Sequence, residues 1–322
     1  MAPSDSRPDQ LGPLNPGNVV SAGLRLYRDR LKMYLRLSVI ANLWLLGGLL
    51  AWVLVTVILG GVLSLAGNEV WGFLGGGIGF LIGLVPFFYG LAQFFMLSAV
   101  MSRLAFQQLI DQPETATAAQ AGTKPKLWDF LKLGLLILLL LVVGYFALGI
   151  VATILGLLVG FLTGGILSAV FGSDIGAVIG IVLGGLVGLA VVVIGLIWLV
   201  SRLLIAEVPL AVETETRASD GISRSWSLTK TSVLRIQFVV TAAFLITLPL
   251  ILFSSYIPQL FMLRLEAGST AYWVLYGINL VVSFLGNMVV MPLWQTIKGV
   301  LYYDLRSRRE GLDLQLRPSS DY

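Results

Sequence analysis

Glu207, Glu213 and Asp304 are among the scattered carboxylates that could do chemistry, as proton donors or acceptors toward a lipid at a membrane surface. They stand in separate stretches of the chain and share no catalytic motif. Histidine and cysteine are both absent. That excludes imidazole acid–base chemistry, Ser-His-Asp triads, thiolate nucleophiles and Cys/His metal sites. We therefore assign no catalytic residue, no metal ligand and no cofactor, and expect a protein that is not an enzyme.

The elements that must position these carboxylates are membrane helices. Of 322 residues, 57% are hydrophobic and 12% charged, about half the charge of a soluble domain, and the charges are clustered between long apolar runs. A span needs about 20 apolar residues. Charge-poor intervals place six spans near 38–66, 71–100, 133–160, 175–201, 236–262 and 270–297. The fold class expected is all-α, a polytopic six-helix membrane bundle with amphipathic helices on one face. Residues 1–18 read as a disordered tail without a cleavable leader, 19–309 as the membrane domain and 310–322 as a polar C-terminal tail.

Every Lys and Arg except Arg264 falls in the N-terminal region, the second-to-third connection, the fourth-to-fifth connection or the C-terminal tail. The positive-inside rule assigns that side, with both termini, to the cytoplasm. Trp71 and Trp273 at outer helix ends, and Trp128, Trp198 and Trp294 near inner ends, fit an interfacial aromatic belt; Trp44 and Trp52 lie deeper and read as packing residues.

Asn15-Pro16 reads as an N-cap followed by proline at the first helical position. Val20, Leu24, Tyr27, Leu31 and Leu35 then recur at helical spacing, interleaved with Arg25, Arg28, Arg30, Lys32 and Arg36. The pattern suits either an interfacial helix on an anionic inner leaflet or an ordinary basic flank. Ser102-Arg103-Leu104 parallels Ser201-Arg202-Leu203, and the segment around Gly23 and Tyr27 can be set against that around Gly221 and Trp226. A threefold repeat of amphipathic helix plus hairpin is one reading and shared flank composition the other.

Glycines step by four at Gly75, Gly79 and Gly83, at Gly156, Gly160 and Gly164, and at Gly176, Gly180, Gly184 and Gly188. That spacing keeps small residues on one helix face. A packing seam within the chain, a face for a second copy and a pore lining all use it. Pro86, Pro249 and Pro292 should kink the second, fifth and sixth spans. Asn279, Ser283 and Asn287 share one face of the sixth span and read as interhelical hydrogen-bonding groups.

The loop at 203–235 mixes Glu207, Glu213 and Glu215 with Arg217, Arg224 and Lys230, and Ser219 or Asp220 could cap a helix from Gly221 to Lys230. A salt-bridged cap is the structural reading. The functional reading makes Arg25, Arg28, Arg30, Glu213, Arg224, Trp226 and Lys230 contacts for a partner or a lipid headgroup.

The runs Ala206-Glu207-Val208-Pro209, Ser223-Arg224-Ser225-Trp226-Ser227-Leu228-Thr229-Lys230 and Leu301-Tyr302-Tyr303-Asp304-Leu305-Arg306, with Glu213 and Glu310-Gly311, resemble a bacterial family. It is the six-helix integral membrane domain fused to some glycerophosphodiester phosphodiesterases, which also has stand-alone relatives. The resemblance implies a bacterial-type cell membrane and a helical bundle. It does not imply hydrolysis, because the fused enzyme is a soluble barrel using histidines and metal-binding carboxylates. The function expected is a non-catalytic scaffold or accessory protein, with a permease or channel for a small neutral or lipidic solute as the alternative. Expected partners are anionic inner-leaflet lipids and a membrane protein or a second copy, not nucleic acid.

Overall fold

The computed structural model describes residues 14–67 and 69–312. Eleven α-helices order the described chain: α1 Pro16–Asp29, α2 Leu31–Ala66, α3 Glu69–Leu109, α4 Ala116–Thr123, α5 Leu127–Phe171, α6 Ser173–Leu203, α7 Glu207–Val212, α8 Ala218–Thr229, α9 Val233–Ile251, α10 Ile257–Met262 and α11 Thr270–Glu310. No strand occurs among the described residues. Among the described residues, six stretches are long and apolar enough to cross a membrane. The fold is an all-α membrane bundle.

The helices outrun the apolar intervals. α5 has 45 residues and α11 has 41, about 68 and 62 Å at 1.5 Å per residue, against a hydrocarbon core of about 30 Å. Their basic ends extend past the apolar intervals and carry charged side chains, Asp129 and Lys132 on α5 and Lys298 to Glu310 on α11, whereas the far end of α5 stays apolar through Phe171. Part of the expected N-terminal tail, residues 16–18, already belongs to α1; residues 1–13 and 313–322 lie outside the described residues.

Local chemistry sets the ends. Pro16 opens α1 after Asn15, whose side chain makes no capping bond. The Ser269 hydroxyl accepts from Tyr272 N at 3.2 Å to start α11, and Gly311, in the left-handed region at φ 64°, ends it. The helix through Trp226 starts at Ala218, earlier than the expected Gly221. Asp220 is not its N-cap: the carboxylate sits in the first turn and accepts from the Arg217 N–H at 3.0 Å. α3 and α11 stay helical through Pro86 and Pro292. After Pro249 the chain widens instead into a π-turn, Leu252–Tyr256, before α10, which single-residue reading of proline did not foresee.

Three hairpins result: α2/α3, α5/α6 and α9–α10/α11. Glycine seams close the first two. A Cβ on Gly180 would lie 2.5 Å from Gly160 O and 2.6 Å from Gly164 Cα, and one on Gly156 would lie 2.8 Å from Gly184 O. A Cβ on Gly79 would meet Thr56 Cα at 2.8 Å. Such distances leave no room for any side chain, so these seams need glycine. Gly176 packs on Ser168, and Gly188 faces Ala152. The third hairpin closes through polar groups: Ser283 Oγ donates to Ser254 O within the π-turn at 3.1 Å. Asn287 Nδ2 reaches across to Asn42 Oδ1 on α2 at 3.1 Å, and Asn42 Nδ2 donates to Ser38 O at 2.8 Å.

The hairpins meet at one end, where the basic residues lie. Buried large side chains concentrate there: Leu97, Met101 and Phe106 of α3, Phe130 and Leu133 of α5, Leu210 of α7, and Leu301, Tyr302 and Tyr303 of α11. Toward the other end of α5/α6 the buried residues are seam residues, Ala152, Gly164, Gly176, Gly180 and Gly184, while Phe161, Ile166, Ile181 and Ile194 are exposed.

Candidate functional site: the polar cap

α7 and α8 fold across the basic end, and the three carboxylates singled out in the sequence stand there in three separate ion pairs, each either on α11 or bonded to a residue of it. Asp304 is fully buried. Its carboxylate accepts from Arg235 Nε at 2.9 Å, Arg308 Nε at 3.2 Å and the Leu14 backbone N–H at 2.7 Å. Arg308 also donates to Leu14 O at 2.9 Å. These bonds tie the chain just before α1 to the end of α11. A buried carboxylate is tolerable only when paired and hydrogen-bonded in this way.

Glu213, at the end of α7, accepts from the Tyr302 hydroxyl at 2.7 Å and from Arg224 Nε at 3.2 Å. Arg224 continues to Glu310 at 2.6 Å, which also holds Arg306 at 2.9 Å. Burial pushes the Glu213 carboxyl upward, but the Tyr302 hydrogen bond and the Arg224 charge outweigh it and hold the group below its ordinary value. Burial likewise opposes the charge on Arg224, and the carboxylates of Glu213 and Glu310 override that to raise its pKa. Glu207 pairs with Lys298 at 2.8 Å.

Two arginines stitch the hairpins to the cap, and they are the ones in the parallel Ser-Arg-Leu runs. Arg103 grips Glu114 through Nε at 3.1 Å and Nη2 at 2.7 Å, and donates to Ala211 O, in α7, at 2.8 Å. Arg202 donates to Trp226 O at 3.2 Å and Lys230 O at 3.1 Å at the end of α8. Its guanidinium carbon stands 5.4 Å from each of the Trp198 and Trp226 rings, within cation–π range. The preceding serines also correspond. Ser102 Oγ bonds Gln295 Oε1 at 2.7 Å, and Ser201 Oγ accepts from Gln237. Sequence reading found these arginines only as a parallel and assigned them no partner.

Trp226 and Lys230 thus serve the cap through their carbonyls, with the Lys230 side chain exposed. Arg25 and Arg28 are exposed on α1, with Arg30 half-buried, and none of the three has a carboxylate partner among the described residues. The apolar stripe expected on α1 divides. Val20 and Tyr27 are buried, together with Val19, Gly23 and Leu26, whereas Leu24 and Leu31 are 39% and 40% exposed. The reason is that α1 packs on α9 and α11, with Gly23 against Ile297, so part of its apolar surface is spent inside the protein.

The fold and the cap define a multi-pass α-helical membrane protein. No family model matches the chain, and no match at a significant level occurs among curated proteins or solved structures.

Proposed function

We propose that this chain is a non-catalytic membrane scaffold or accessory protein, embedded in a bacterial-type cell membrane with the polar cap and both termini in the cytoplasm. The observation that carries the proposal is the mutual engagement of the cap's charges. Asp304 is held by Arg235 and Arg308, Glu213 by Arg224 and Tyr302, and Glu207 by Lys298. The carboxylates with the chemistry of acids or bases serve as struts joining α7, α9 and α11. Exposed Arg25 and Arg28, with Leu24 and Leu31 beside them, then offer a basic and apolar surface to anionic lipid. The orientation follows from the clustering of lysine and arginine at the cap end. Kinship with the six-helix membrane domain family forms part of this proposal and rests on the motifs around Glu207, Trp226 and Tyr302.

The test is extraction in a mild detergent after in-membrane cross-linking, followed by quantitative mass spectrometry. A scaffold brings down a membrane-protein partner or a second copy at fixed stoichiometry.

A second reading, a permease for a small neutral or lipidic solute, draws on one feature. Ser38, Asn42, Asn287 and Ser283 line up with the π-turn at Ser254, and π-turns occur often at functional sites. Protein-dependent solute flux in proteoliposomes would favour it.

A further inference from the structure

We propose that the cleft between α3, α5, α6, α7 and α11 is a binding site for a zwitterionic phospholipid, with the Glu207–Lys298 pair receiving its headgroup. The cavity holds about 240 Å³. Phe95, Ile137, Leu141, Val200 and Leu204 supply apolar walls, and Glu207 and Lys298 are the charged groups at its lining. From Phe130 to Leu141 the α5 wall runs about 16 Å, enough to follow the first part of an acyl chain from cap toward membrane.

The pair is placed for a ligand. Around Glu207, Ile205, Ala206, Val208 and Leu210 are 0% exposed, and around Lys298 the residues Thr296, Val300 and Leu301 are 0% exposed. In these sealed runs the Lys298 and Glu207 side chains keep 19% and 17% of their surface, and that surface borders the cleft. Their mutual contact at 2.8 Å is the one hydrogen bond either side chain makes among the described residues. The ammonium has two further protons and the carboxylate further lone pairs. A phosphate can accept from Lys298 while an ammonium donates to Glu207, so a headgroup carrying both charges satisfies both. An anionic headgroup without an ammonium would bring its charge against Glu207. This site stands apart from the scaffold proposal: a lipid can occupy the cleft whichever partner the protein has.

The experiment is native mass spectrometry of the full-length protein in detergent with equimolar phosphatidylethanolamine and phosphatidylglycerol. Wild type is expected to retain phosphatidylethanolamine preferentially. Glu207→Gln should retain about tenfold less, the loss of one charge-assisted hydrogen bond. Val200→Phe, which fills the cleft and leaves the ion pair untouched, should lose it to a similar extent while eluting as wild type does. Equal retention of the two lipids by wild type, or undiminished phosphatidylethanolamine on Val200→Phe, would overturn the proposal.

Discussion

Asp304 on α11 and Arg235 on α9 join carboxylate to guanidinium through two hydrogen bonds, of 2.9 and 3.2 Å, with the carboxylate wholly removed from solvent. This pair fixes the third hairpin at its cap end, and Arg308 and Leu14 N complete the carboxylate's partners.

Asp304→Asn keeps the shape and removes the charge, leaving Arg235 and Arg308 without a counter-ion. Breaking a buried pair costs about 3–5 kcal/mol. The thermal midpoint of the detergent-solubilised protein should fall sharply, with the α1 segment becoming more sensitive to protease because the bond from Leu14 N loses its charge assistance and Arg308, which also holds Leu14 O, loses its counter-ion.

Side chains placed in the α5/α6 seam should be tolerated according to the space they meet. Gly180→Val drives a branched side chain into the backbone of Gly160 and Gly164, and overpacking of this kind costs about 1–3 kcal/mol. Gly165→Ala, which meets nothing within 4 Å, should be neutral or stabilising by about 0.5–1 kcal/mol through helix propensity. Thermal unfolding of the two variants separates a packing seam inside the chain from a glycine-rich surface.

The cap should weaken in acid. Glu213 has a lowered pKa in the folded protein, so its stabilising contribution is fully present above the ordinary glutamate value of about 4.3. That contribution is lost as pH falls through this value toward the lower folded one. Tyr302→Phe removes the hydroxyl that donates to Glu213. The loss should be about 0.5–1.5 kcal/mol near neutrality, and in the variant the acid-sensitive range should move to higher pH. Unfolding midpoints measured from pH 3 to 7 for both proteins check this.

The absence of cysteine makes the proposed orientation directly testable. Gln112 lies in the α3–α4 connection at the cap end and Ser173 at the α5/α6 turn, both exposed. In intact cells a membrane-impermeant maleimide should label Ser173→Cys, and should label Gln112→Cys only after permeabilisation. The reverse pattern would invert the topology.

Much of this architecture was legible in the sequence, for physical reasons that can be named. Apolar runs between charges mark spans because lipid admits few other solutions. The step-of-four glycines sit at the helix seams, and at Gly79, Gly156 and Gly180 only hydrogen fits, since a Cβ there would come within 2.5–2.8 Å of the facing backbone. What sequence left open was long-range pairing. Nothing near Asp304 indicates Arg235, 69 positions away, nor does the Glu207 segment name Lys298, 91 positions away. The π-turn after Pro249 was equally hidden, since Pro86 and Pro292 are accommodated in continuous helix. The burial of α1 was missed because an amphipathic stripe looks the same whether it faces lipid or the α9/α11 surface.

The most direct test of the scaffold proposal is cross-linking in native membranes, mild extraction and quantitative mass spectrometry of the purified assembly. The account expects a membrane-protein partner or a second copy of the chain at fixed stoichiometry, retained in the wild type and diminished when Asp304→Asn loosens the cap. A homogeneous monomer without a partner, whose proteoliposomes pass a small solute, would contradict it and favour the permease.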